Sequence, residues 1–101
     1  MNEQYNMKLT SRALRDLDSI YKYIAQTLME PGTALNMIKD IRSEILSLEQ
    51  FPNRCPLRKT GAYANKGYRQ LLVKSYTVIY RVDENTKTVI IVTVRYSASQ
   101  F

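Results

Sequence analysis

The sequence predicts an α+β fold in which an antiparallel helical hairpin packs on one face of a small antiparallel sheet. Three patterns predict it: two early stretches whose apolar residues step by three and four, a β-rich run from Tyr68 to Tyr96 broken by two polar turns, and a basic stretch without period between them. At 101 residues the chain fits one domain, residues 1–101, able to bury a modest core without staples.

Residues Gln4 to Leu9 alternate weakly and read as a short first strand, and Thr10 or Ser11 can cap the helix that follows. From Arg12 onward Leu14, Leu17, Tyr21, Ile24 and Leu28 fall along one stripe of a helix of about five turns, with Asp16, Asp18 and Lys22 off that stripe. Met29 to Thr33 breaks the pattern, since Pro31 cannot continue one helix but suits the first turn of another. Ala34, Ile38, Ile41, Ile45 and Leu48 make a second stripe, and so short a link between two helices forces them antiparallel. Phe51-Pro52-Asn53 ends the second helix. The segment from Arg54 to Lys66, with Pro56 and Gly61, reads as a surface loop.

Gly67 opens the β run: Tyr68 to Val73, a tight turn near Lys74-Ser75, Tyr76 to Val82, a polar turn over Asp83 to Lys87, then Thr88 to Tyr96, a three-stranded meander. If Val73 faces Tyr76 and Glu84 faces Lys87, alternation puts Leu72, Ile79, Ile90, Val92 and Val94 on the face under the hairpin. The other face then carries Arg69, Tyr76, Tyr80, Thr93 and Arg95, suited to a ligand. Ser97 to Phe101 reads as a tail in which Phe101 is the residue able to fold back onto apolar surface.

Charge is segregated. The balance is −1 up to Glu49, +7 from Gln50 to Val82 and 0 from Asp83 onward, giving the net +6. The middle stretch holds Arg54, Arg58, Lys59, Lys66, Arg69, Lys74 and Arg81 and no acid, which predicts a contact surface for an anionic partner, phosphate or an acidic protein segment. Arg69 and Arg81 also have a structural reading, as ion-pair partners of Glu49 or Asp83.

The chain has no histidine, which argues against zinc and Ser-His-Asp chemistry, and neither a metal nor a small-molecule cofactor is expected. Its single cysteine, Cys55, has no partner for an internal disulfide and reads as a buried or idle thiol. Apolar runs are too short to span a bilayer and no leader is evident, so a cytoplasmic protein without a membrane partner is expected. Tyr63, Tyr68, Tyr76, Tyr80 and Tyr96, set among cations, suit either base stacking or strand packing.

The order strand, hairpin, basic loop and meander, with "FPNRCPLRKTG" over 51–61 and "GYRQLLVKSYTVIYRVDENTKTVIIVTVRY" over 67–96, resembles the RelE/ParE superfamily of bacterial type II toxins. The likeness is carried by Phe51-Pro52, Tyr68-Arg69, Tyr76, Ile79-Tyr80-Arg81-Val82 and Val94-Arg95-Tyr96. It implies a growth-inhibiting toxin, of the kind associated with plasmid stabilization, held inactive by a cognate antitoxin protein.

The superfamily divides into ribosome-dependent messenger-RNA endonucleases of the RelE kind and DNA gyrase inhibitors of the ParE kind. In RelE-like nucleases a basic residue commonly follows the tyrosine matching Tyr76, and an Arg or His follows the closing strand; this sequence reads Thr77 and Ser97 there. Cleavage by 2′-hydroxyl attack needs a base, a cation for the phosphate and an acid. Arg69, Arg81 and Arg95 are candidates to hold phosphate. Tyr96 or Tyr80 could serve as base only with a phenol pKa well below about 10, and Lys66 or Lys74 only if buried. A ParE-like toxin needs only a binding surface, so the gyrase-directed reading leads, ahead of the messenger-RNA nuclease acting on the ribosome and of a general RNA-binding module.

Overall fold

The computed structural model describes residues 4–99 and 101. Strand β1 (Asn6–Leu9) leads into helix α1 (Ser11–Lys22), which runs on through a wide π-helical turn, Tyr23–Thr27. Helix α2 (Pro31–Ser47) returns antiparallel to it, and β2 (Arg69–Val73), β3 (Tyr76–Asp83) and β4 (Thr88–Tyr96) form the meander. The sheet order is β1-β4-β3-β2, with β1 parallel to β4. The meander is antiparallel as expected, and the added strand makes the whole sheet mixed.

Local signals explain the helix ends. Thr10 caps α1 by accepting the Ala13 amide at 3.0 Å, while its hydroxyl donates to the Val92 carbonyl at 2.7 Å, so one side chain starts the helix and ties it to the sheet. Pro31 occupies the first turn of α2. Between the helices Met29 adopts φ +61°, a left-handed residue that lets the Glu30 amide reach back to the Ile24 carbonyl at 3.0 Å.

The second stripe is buried as its spacing requires: Ala34, Ile41, Ile45 and Leu48 lie in the core, with Ile38 packed against it. The first stripe is rotated from the expected one. Ala13, Ile20 and Ile24 are buried with Leu17 and Tyr21 alongside, whereas Leu14 is 57% and Leu28 49% exposed. Asp16, expected off the stripe, reaches inward to accept the Thr93 hydroxyl and, at 3.0 Å, the Val94 amide. Both belong to the part of β4 that extends beyond the end of β1, so the carboxylate satisfies a donor that short β1 leaves unpaired.

The sheet faces are reversed from the sequence expectation over β2, β3 and the first half of β4; beyond the bulge they are as expected, with Val94 under the hairpin and Thr93 and Arg95 on the other face. Leu71, Val73, Tyr76, Val78, Tyr80, Val89, Ile91 and Val94 pack under the hairpin, and Leu72 is 63% exposed. Two causes combine. β3 and β4 are apolar at nearly every position, so alternation has little contrast. A bulge also shifts the register, pairing Ile79 with Thr93 but Tyr80 with Ile91, so Val92 is supernumerary and Ile91 and Val94 share a face although three apart. Ile79 is nonetheless fully buried, on the side away from the hairpin. No helix among the described residues is long and apolar enough to cross a membrane.

Candidate interaction surfaces

Because the reversal stops at the bulge, the residues expected to form one site are separated. Tyr76 and Tyr80 are core residues. The Tyr80 hydroxyl donates to the Pro52 carbonyl at 2.6 Å, and burial and the neighbouring Cys55 thiol push its pKa well above the ordinary 10.0. It is held as a neutral phenol, the opposite of what a base requires. Tyr76 is likewise raised, by burial first and then by the nearby Tyr23 and Tyr96 phenols. Arg69 pairs across the strands with Tyr80 and donates to the Cys55 carbonyl at 2.6 Å, anchoring the loop on the hairpin side. Arg81 and Arg95 lie on the other face of β3 and β4. Tyr96 is half-exposed at the strand end, its ring edge-on to Tyr76 with centroids 5.8 Å apart. Arg69, Arg81, Arg95 and Tyr96 therefore do not converge.

Two of the seven cations in the acid-free stretch are met by carboxylates of α2. Lys74 pairs with Asp40 at 2.5 Å. Arg54 lies 3.8 Å from Glu44 and donates to the Ser47 hydroxyl at 2.7 Å and to the Ser47 and Phe51 carbonyls, closing the C-terminal end of α2. Arg58, Lys59, Lys66, Arg69 and Arg81 pair with no Asp or Glu among the described residues. The expected pairing of Arg69 or Arg81 with Glu49 or Asp83 is not formed: Arg69 meets a carbonyl, and Asp83 accepts the Asn85 and Thr86 amides of its own turn.

On the side away from the hairpin, Phe101 folds back, and its ring lies 4.4 Å from the Arg58 guanidinium and 5.6 Å from that of Arg95. Arg58 also donates to the Thr60 carbonyl at 3.0 Å, the Gln70 side-chain oxygen at 2.9 Å and the Phe101 carbonyl at 3.3 Å. Beside it Thr77 and Ser97 share a hydroxyl–hydroxyl hydrogen bond of 2.7 Å. On the hairpin side a cleft of about 670 Å³ opens between the π-helical turn and the sheet end, lined by Tyr23, Ile24, Leu28, Met37, Tyr76 and Tyr96 among others. A groove beside the hairpin is expected from the sequence, but its place and lining depend on α1 overhanging the β3–β4 end.

This arrangement, a helical hairpin over a meander with N-terminal strand added in parallel, is that of small α+β toxins. A family model, ParE toxin of the type II toxin-antitoxin system, parDE, matches residues 7–101, and the chain belongs to that family. The solved chromosomal ParDE toxin-antitoxin system from P. aeruginosa is similar at 26% identity and a TM-score of 0.76, covering 93% of this chain and 97% of that one. The RelBE2 toxin-antitoxin complex from Mycobacterium tuberculosis (24% identity, TM-score 0.63, 92% and 98% covered) and the intact E. coli RelBE complex (14%, 0.61, 94% and 99%) share the fold. A comparison with curated proteins gives no match.

Proposed function

We propose that the protein arrests bacterial growth by binding DNA gyrase and cuts no nucleic acid, and that a cognate antitoxin restrains it. One observation carries the mechanistic choice. The two positions at which RelE-like nucleases are expected to hold basic groups are Thr77 and Ser97, and here they face one another as neutral hydroxyls 2.7 Å apart. Neither can act as a base near neutral pH, and the phenol of Tyr80 is pushed away from that role. Family membership supports the same reading. A binding toxin needs surface and no proton transfer, which the unpaired cations and the apolar cleft provide.

The antitoxin is expected to lay apolar side chains in the cleft beside the hairpin and to bring carboxylates to the cations of the Arg54 to Arg81 stretch, whose local charge would steer it. Inducing the chain in a bacterium lacking antitoxin tests the proposal. Growth arrest with a DNA-damage response and intact messages is the expected result. New 5′ ends in toeprints of translated messages would overturn the mechanism, and unimpaired growth the toxin activity itself.

A further inference from the structure

The seat of Phe101 is more specific than a chance contact. The ring is shared between two guanidinium groups that come from distant parts of the chain, the loop and β4. Its carbonyl oxygen sits against Gly61, at φ +77°, where a Cβ would lie 1.6 Å from that oxygen. Any other residue at 61 would push the tail out. Each of the three Arg58 nitrogens donates while the tail is seated, to Thr60, Gln70 and Phe101.

A planar ring against guanidinium faces, with an oxygen acceptor beside it, is also what a nucleotide offers through its base and phosphate. Lys59, Lys66 and Arg81 have no hydrogen-bond or ion-pair partner among the described residues, and Arg81 shares the sheet face of Ile79 and Gln70. These supply charge for further phosphates. An acidic peptide would bring the charge without a ring at each step, so the combination favours a strand of nucleotides.

We propose that Phe101 is a latch occupying, in cis, a single-stranded nucleic-acid site walled by Arg58 and Arg95, so that a bound strand and the seated tail exclude one another. Linkage then makes the effect reciprocal: removing the ring strengthens binding, and binding unseats the ring. The site is separate from the question of gyrase, because it is read as binding in vitro and the growth experiment can fail without affecting it.

Titration of the unmodified chain with a fluorescein-labelled oligothymidylate tests the latch, read by anisotropy and by the Phe101 ring-proton resonances. Binding should move those resonances to the positions of an unstructured phenylalanine. Phe101→Ala should bind about fivefold tighter, and Arg58→Ala more weakly. Ring resonances unchanged at saturation, or an affinity of Phe101→Ala equal to or below that of the parent chain, would overturn the proposal. So would displacement by polyglutamate where oligothymidylate causes none.

Discussion

Tyr80 joins the sheet to the turn after α2 through one hydrogen bond, 2.6 Å from its hydroxyl to the Pro52 carbonyl, in a site where both residues are buried. Replacing it with Phe keeps the ring and orphans the carbonyl, so Tyr80→Phe should lose about 1–2 kcal/mol in urea unfolding. The raised phenol pKa gives this residue a pH signature. A group that holds its proton more tightly folded than unfolded contributes fully below its unfolded value, here 10.0, and loses that contribution as pH rises through the higher folded one. Stability should therefore fall above about pH 10, and Tyr80→Phe should flatten that fall. Arg69 and Arg81, equivalent in the sequence, should now behave differently. Arg69→Ala removes the donor to the Cys55 carbonyl and should cost about 1 kcal/mol or more, whereas the exposed, unpaired Arg81 should tolerate Ala within about 0.5 kcal/mol. Growth assays of the two proteins, normalised to their folded amount, then report on the surface alone.

At the scale of elements, the link between the helices turns on Met29, whose side chain is 79% exposed and whose backbone is left-handed. Met29→Gly should raise stability by up to about 1 kcal/mol in thermal or urea unfolding, since a Cβ in that conformation is disfavoured and no packing is lost. The same scale explains what could be read from sequence. Helix α2 and the three meander strands were legible because their apolar spacing or turn chemistry has strong contrast. α1 was rotated because Leu14 outweighs Ala13 in hydropathy, while only the fold reveals that a small residue is required where α1 crosses β4. The faces of β2 and β3 were lost because β3 is apolar at nearly every position, and the run Val89-Ile90-Ile91-Val92 hides a one-residue bulge that changes the phase and leaves no mark in composition. The candidate site suffered most. A charge run shows where cations lie along the chain but not that Arg54 would turn to the end of α2 and Lys74 to Asp40. For Phe101 there was a signal, one aromatic residue in a tail of Ser, Ala and Gln.

For the whole molecule, the cations left without carboxylates make the long-range field that partners feel. Reversing Lys59, Lys66 and Arg81 together to Glu should leave the unfolding transition close to that of the parent, because none makes an ion pair among the described residues. It should reduce toxicity in the growth assay and weaken the salt dependence of polyanion binding. Loss of stability comparable to that of Tyr80→Phe would instead mean that these side chains hold the loop.

The strand order has a consequence for the toxin's manufacture. β4 lies between β1 and β3, so β1 finds its hydrogen-bonding neighbour only when residues 88–96 have been made. Until then residues 6–9 have no strand to join and the apolar side of the hairpin has no complete sheet to cover it. A ribosome that has not yet reached residue 88 therefore carries a chain whose sheet is incomplete, and an inhibitor already present in the cell has that interval in which to be waiting.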